Sequence, residues 1–530
     1  MDFSEVHEQS FGHVAFSPSS SMVAGTVGSR LVLRDLPSLE VRHMYICIDK
    51  IDRIEFSPDS KYILCGIFSR NAIQVFSVQD AEWKCRINEG VAGLLSARWA
   101  PDSRHVLVES DFGIQISVWS LSEVSCQVIS YPKQGCSNGM SFSEDGKFMA
   151  VAHRIDLHDH IGVYSTSPWS ELSKFKCSKE TGNDLSTLQW TPSGAYIVAS
   201  DSHLQYNMAV YTPTGDVVTV YEAYTQALGL RQTVFHRPVA PVTEICPLVA
   251  LGSYDGNVRL VSSTHWKAAF VLPCTHPKDM EGGIDDGCVP TVELIGDSGE
   301  EDGLVSNVNP NKRTLGKSFM KKALKTLPAV SASSGGAGRG TVARGYSDKL
   351  PKMGVSSIAF SHDGTLLAVR DESLPRCIWV WGCYDAKLQA LVVQLDSITC
   401  ARWRPSAQSG DAVLAYGCAS PRVYFWSAAK GSYWVDLPGH IDLKVSAECW
   451  NAGSHSLSAP SVRPLTPSTC PVHAPLTPSP KVLALRWSAN GKRLLVLSRD
   501  QFVVCTVSDD GAPAVTSAGS SEVPETVFRL

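Results

Sequence analysis

No apolar run in this sequence approaches the ~18–20 residues of a membrane-spanning helix. The opening MDFSEVHEQSFGH has neither a basic n-region nor an apolar h-region, so no secretory leader is expected. Among 16 cysteines there is no Cys-x-x-Cys pair, and no His-Glu-x-x-His occurs, which argues against a zinc ribbon and a metalloprotease helix. Several cysteines (Cys47, Cys65, Cys400, Cys505) lie inside apolar runs, where a thiol behaves as a small hydrophobe. Reduced structural thiols in the cytosol are therefore expected. Charge is scarce: 19% of residues are Asp, Glu, Lys or Arg, against a usual share of about 25%. The net charge of −5 suggests neither a nucleic-acid surface nor an acidic lipid surface as a partner.

What is present is a repeat. Residues 54–78, IEFSPDSKYILCGIFSRNAIQVFSV, read as three short strands and two turns. Ile54 and Phe56 alternate with polar neighbours, Ser57-Pro58-Asp59-Ser60 is turn chemistry, and Ile73, Val75 and Val78 close an alternating run. The same sentence recurs at 14–36, 97–121, 140–166, 188–213, 233–263, 358–383, 401–428 and 485–507, which makes nine copies. The aromatic before each turn (Phe16, Phe56, Trp99, Phe142, Trp190, Phe235, Phe360, Trp403, Trp487) sets intervals of 40, 43, 43, 48, 45, 125, 43 and 84. A period of about 40–45 with strand–turn–strand content marks four-stranded propeller blades. The two long intervals are one period plus an insertion.

The expected organisation is blades 1–6 over 1–273, an insertion at 274–352, blades 7 and 8 over 353–445, a Pro-rich insertion at 446–481, and the last blade with a tail at 482–530. The first insertion is acidic, then basic, then Gly/Ser/Ala-rich, and is expected to be largely disordered. Within it Leu315, Phe319, Ala323 and Leu327 fall at helical spacing, with Leu324 beside them and Lys317, Lys321, Lys322 and Lys325 interleaved. That pattern describes a short basic amphipathic helix able to dock on a partner, or a solvated charge run. The second insertion repeats Pro-Leu-Thr-Pro-Ser, and Thr466, Thr477 and Ser479 each precede a proline, the context of proline-directed phosphorylation.

No catalytic set, cofactor site or metal site is expected. Gly316-Lys317-Ser318 ends like a phosphate loop, but Asn311 stands where the first glycine belongs. Gly336-Ala337-Gly338-Arg339-Gly340 lies in low-complexity sequence and fails as a dinucleotide fingerprint. Asp156, His158, Asp159 and His160 are four ligand-type residues in five positions; the repeat places them in a tight loop over 154–160, solvated and splayed apart.

The copies resemble WD repeats. Gly252-Ser253-Tyr254-Asp255-Gly256-Asn257-Val258-Arg259-Leu260 is the best match, while Trp119-Ser120, Trp381-Gly382 and Trp426-Ser427 lack the Asp of Trp-Asp. Apolar packing between blades is therefore expected to carry more of the stability. The opening MDFSEV, the pair RLVLRDL and IEFSPDSKYILC, and EWKCRINEGVAGLLSARWAPDSRHVL narrow the likeness. His265-Trp266-Lys267 and IAFSHDGTLLAVRDESLPRCIWVW narrow it further. With these the chain resembles the WD-repeat-eight, or WRAP, family. The resemblance implies a non-enzymatic, cytoplasmic scaffold at the centrosome, basal body or spindle pole, acting in microtubule minus-end anchoring, spindle assembly and cilium formation. It implies a coiled-coil spindle-anchoring partner of the synovial-sarcoma-X-interacting type, with a minus-end kinesin or other centrosomal proteins as further partners. A translation- or RNA-associated propeller adaptor is the rival reading, and a propeller hydrolase or metal enzyme a more distant one. The fold expected is an all-β propeller of about nine degenerate blades; one closed ring, seven blades with extras, and two propellers stay open.

Overall fold

The structure, a computed structural model, describes residues 2–10, 12–123, 125–177, 184–225, 227–236, 247–274, 291–295, 353–405, 411–438 and 481–507. Nine sheets form one ring, and no α-helix occurs among the described residues. Blade 1 is Val14–Phe16, Met22–Val27, Arg30–Asp35 and Val41–Ile46. Blades 2 to 6 repeat this antiparallel meander from Arg53, Ser96, Met140, Leu185 and Leu230. Blades 7, 8 and 9 start at Val355, Ile398 and Ala484.

Nine apolar clusters hold the ring, and each lies between two neighbouring blades. Leu31, Leu33, Ile51, Ile63 and Ile67 join blades 1 and 2; Leu391, Val393 and Trp379 meet Leu248, Val258 and Leu260 between blades 6 and 7. The last cluster sets Val14, Val23 and Leu36 of blade 1 against Leu495, Leu497, Phe502 and Val504 of blade 9. That contact closes the circle and settles the count at nine in a single ring. Each fully buried Leu, Ile or Val contributes about 1.5–3 kcal/mol.

Closure also uses the sheet. Ala484–Trp487, Arg493–Leu497 and Gln501–Thr506 make only three strands of blade 9. The chain's first residues supply the fourth: Asp2 pairs with Thr506, Phe3 with Cys505, His7 with Phe502 and Glu8 with Gln501. The Gln9 amide then bonds the Ser498 carbonyl at 2.6 Å.

One turn recurs on one face of the ring, between the first and second strands of blades 1, 2, 4, 5, 7 and 9. A buried Ser or Thr (Ser17, Ser57, Ser143, Thr191, Ser361, Ser488) accepts the N–H five residues on, at 2.9–3.1 Å. Three residues after it the backbone enters the left-handed region, where Gly146, Gly194, Gly364 and Gly491 sit without strain. At Ser20, Ser60 and Ser103 a serine occupies that position instead. There the hydroxyl accepts an N–H from the preceding blade: Asn490 to Ser20 at 3.3 Å, Ser19 to Ser60 at 2.9 Å and Asp59 to Ser103 at 3.0 Å. Blade 3 has Ala100 in place of the buried hydroxyl, and Asp102 accepts the Arg104 and His105 N–H groups instead.

The aromatics that mark the period are also joints. The indole N–H of Trp99, Trp403 and Trp487 donates to the carbonyl of Glu55, Ala359 and Arg402, each one residue before the preceding blade's aromatic. The Trp190 indole N–H finds no partner.

Thr291–Ile295, inside the stretch expected to be largely disordered, is a strand that adds in parallel to the outer strand Leu388–Gln394 of blade 7. Its TVELI sequence is the β-favouring exception in a polar segment. The outer strand it covers is buried from Ala390 to Gln394, unlike the outer strand of blade 1. The basic segment at Leu315, Lys317, Phe319, Lys321, Lys322, Leu324 and Lys325 lies outside the described residues, as do Thr466, Thr477 and Ser479. No disulfide forms among the described cysteines, and burial pushes thiols such as Cys377 and Cys383 up to about 12.

Two tests follow from this architecture. Deleting residues 2–9 leaves blade 9 with three strands, so the melting temperature should fall by several degrees; an unchanged value would assign closure to apolar packing alone. Ser60→Ala keeps the left-handed backbone and loses the acceptor, costing about 1 kcal/mol in chemical denaturation. Ser60→Gly relieves that backbone and should stay within about 0.5 kcal/mol of the parent; equal losses in both variants would refute the clasp.

Candidate functional site

In an antiparallel meander, the loops between second and third strands share one face of the ring with the connections between blades. Both long insertions leave and re-enter the described chain on that face, after Cys274 and Pro438 and before Met353 and Lys481. Over blades 3 and 4 the same face carries large apolar side chains in solvent. Phe112 is 80% exposed, Leu157 83% and Tyr131 65%, with Leu95 and Ile114 also exposed. Three of these five have positive φ: Phe112 (60°), Tyr131 (58°) and Leu157 (65°). A bulky non-glycine residue there costs of order 1 kcal/mol or more and persists only where neighbours impose it.

The neighbours can be named. Gly113, itself at φ 61°, has the Pro132 carbonyl oxygen 2.8 Å from where a Cβ would stand, so only glycine lets the 111–114 turn press on 132–134. The Tyr131 N–H donates to the Ile114 carbonyl at 3.0 Å, and the Tyr131 carbonyl accepts from the Arg154 N–H at 3.4 Å. Beneath it the fully buried His153 points Nδ1 at the carbonyls of Ser130 and Tyr131, both at 3.1 Å. The carbonyls call for a proton on Nδ1, and the Tyr164 hydroxyl stands 3.0 Å from the other ring nitrogen while donating to Glu171 at 3.1 Å. Burial pushes its pKa down to about 4.

Between these tips lies a cleft of about 400 Å³, lined by Phe112, Gly113, Tyr131, Lys133, Arg154 and Asp184. Its floor is an ion network. Lys133 Nζ donates to Asp159 at 2.8 Å, to Asp184 at 2.6 Å and to the Leu185 carbonyl at 2.6 Å. Arg154 reaches Asp159 at 2.7 Å, and the Leu185 N–H completes that carboxylate's shell at 2.7 Å. Burial works against the charge on Asp159, but these donors outweigh it and hold the carboxyl below its ordinary range. The same two aspartates outweigh burial at Lys133 and raise its pKa.

This corrects the expectation of a solvated loop at 154–160. The strands Phe148–Ile155 and His158–Ser165 leave only Asp156 and Leu157 as the turn, both with positive φ, as a two-residue hairpin requires. Asp159 is buried in the network, while alternation along the strand turns His158 and His160 to the other side. The four side chains do not converge, and no group able to hold a metal ion occurs among the described residues.

The sequence also contains Gly135-Cys136-Ser137-Asn138-Gly139, which has the spacing of a hydrolase nucleophile elbow. It lies on the connection from blade 3 to blade 4, where no helix follows and the Ser137 hydroxyl bonds the Ser186 backbone at 3.3 Å. Burial pushes the neighbouring Cys136 thiol up to about 11. The string acts as packing between blades.

Three comparisons bear on the ring. Residues 95–227, which span blades 3 to 5, match the family described as eukaryotic translation initiation factor eIF2A. The chain is 32% identical to the mouse (Mus musculus) WD repeat-containing protein WRAP73 over 86% of its own length and 93% of that protein's. It is 21% identical to an uncharacterized WD repeat-containing protein of Schizosaccharomyces pombe, over 71% of this chain and 70% of that protein.

The buried imidazole gives the site a pH dependence. A folded-state pKa below the unfolded value means stability is fully present above about 6.5 and is lost as pH falls towards 4. About 2 kcal/mol should be gone by pH 5. Comparing unfolding free energies at pH 7 and pH 5 for the parent and His153→Gln measures it; an equal drop in both would refute the assignment.

Proposed function

The chain belongs to the family of the WD repeat-containing protein WRAP73, a family of WD-repeat propellers, and we propose that it is a non-enzymatic interaction scaffold of the microtubule-organising centre. In this reading it works in the cytoplasm at the centrosome, basal body or spindle pole. It acts with a coiled-coil spindle-anchoring protein of the synovial-sarcoma-X-interacting type, and with a minus-end kinesin or other centrosomal proteins, in minus-end anchoring, spindle assembly and cilium formation. The single observation that carries the scaffold role is the cluster of strained, solvent-exposed apolar tips Phe112, Tyr131 and Leu157 on one face of a closed ring. Exposed apolar surface of this kind marks contact with another macromolecule. The placement at the centrosome and the choice of partner rest on the family resemblance.

A second reading has its own observation. The match of residues 95–227 to the eIF2A family favours a translation-associated propeller adaptor, over a quarter of the chain.

Affinity purification of the tagged full-length chain from dividing cells, with imaging of the same tag in mitosis, separates the two. Signal at the spindle poles with a coiled-coil partner in near-equal amount is the expected result. A diffuse signal with ribosomal or RNA-binding proteins would overturn it in favour of the translation adaptor.

A further inference from the structure

We propose that the cleft over blades 3 and 4 receives a basic amphipathic α-helix of a partner protein. This rests on the scaffold reading and names the chemistry of its contact. Two hollows adjoin on this face. The cleft lined by Phe112 and Tyr131 shares Gly113, Pro132, Lys133 and Gln134 with a second hollow whose wall includes Leu95. Leu157 stands at the tip of the next hairpin. Leu95, Phe112 and Tyr131 thus line two adjoining hollows, and Leu157 is exposed on the neighbouring hairpin.

The form of the occupant follows from the backbone. The groove's main-chain groups are already used: Leu95 N–H on the Glu109 carbonyl at 2.9 Å, Tyr131 N–H on Ile114, and Lys133 N–H on the Ala152 carbonyl at 2.8 Å. With those N–H groups taken, a segment that needs to add to a sheet does not find them to pair with. A helix satisfies its own backbone and brings only side chains, with apolar anchors one turn apart.

The charge follows from the rim. Asp159 and Asp184 pair with Lys133 and Arg154. Glu109, in the adjoining hollow, is balanced by Arg98. The two cations are engaged by Asp159 and Asp184, and Asp184 remains 58% exposed. Asp111 and Asp156 add negative charge beside Phe112 and Leu157. The rim therefore favours Lys or Arg flanking the helix's apolar stripe, and repels carboxylates there.

The test uses full-length protein and two labelled probes, synthetic 18-residue amphipathic helices with one Leu stripe and either Lys or Glu on its flanks. Fluorescence anisotropy is expected to show binding of the Lys helix at least 10-fold tighter than the Glu helix. The double variant Phe112→Ala/Tyr131→Ala should weaken it by at least 10-fold with no fall in melting temperature. Asp184→Lys should weaken the Lys helix and leave the Glu helix no weaker. Equal binding of both helices, or indifference to the double variant, would overturn the proposal. Tighter binding by a variant lacking 296–352 would overturn it too, because the groove would then serve the chain's own basic segment. The same double variant in the cellular purification keeps the two readings apart. If the parent recovers its partners and the variant recovers them equally, the groove assignment fails alone; if the parent recovers none, the scaffold reading fails.

Discussion

Everything in this molecule depends on burial that no blade can achieve by itself. Each blade has two apolar faces, and only the neighbouring blades cover them, so the nine clusters form a circuit that must close. An open arc would leave the face carrying Val23 and Leu36 on one side, and that of Leu495 and Phe502 on the other, in water. The chain avoids this by returning its own beginning to its end, with Asp2–Phe3 on Gln501–Thr506. Nine blades turn by about 40° each, a wider ring than the four to eight usual for propellers. The joints meet that geometry with apolar wedges, three cross-blade indole bonds and three cross-blade serine clasps. The Trp-Asp signature that the repeats lack is replaced in part by other pairings. Trp119, for instance, donates to the Glu89 carboxylate at 2.8 Å.

Closure makes the ring a stiff frame, and the frame tolerates strain at its upper loops. Phe112, Tyr131 and Leu157 hold unfavourable backbone conformations because Gly113, the Tyr131 hydrogen bonds and the buried His153 leave them no alternative. The result is a set of apolar tips around an ion-paired floor. Its cations are neutralised from within, so the surface presents hydrophobic contact and acidic rim together. On the connection beside it the Ser137 hydroxyl bonds the Ser186 backbone, and burial raises the pKa of the Cys136 thiol.

The period and the pivot aromatics were legible because they recur, and recurrence survives the degeneracy of any single copy. Ser57-Pro58-Asp59-Ser60 could be read as a turn; that Ser60 also clasps blade 1 could not, since its partner Ser19 is 41 residues away. The stretch 154–160 reads as a solvated loop because four of the five residues 156–160 are polar. Asp159 is buried by Lys133 and Arg154, and Lys133 comes from another loop. Gly113 and Gly135-Cys136-Ser137-Asn138-Gly139 carried a signal in spacing and residue type, but its meaning depended on what lay opposite. TVELI at 291–295 could have been flagged from its β-branched content within a polar segment.

An all-β chain of nine blade-length units with two long interruptions is written in the residues alone, because apolar period and turn chemistry are local properties set within a few positions. The single ring, its sealing by the N-terminal strands, and the sharing of one face by Phe112, Tyr131, Leu157 and the Lys133–Asp159–Arg154 network emerge only on folding. Those facts depend on which distant segments meet. Burial of blade against blade, summed around a closed circuit, selects those meetings; no local pattern encodes them.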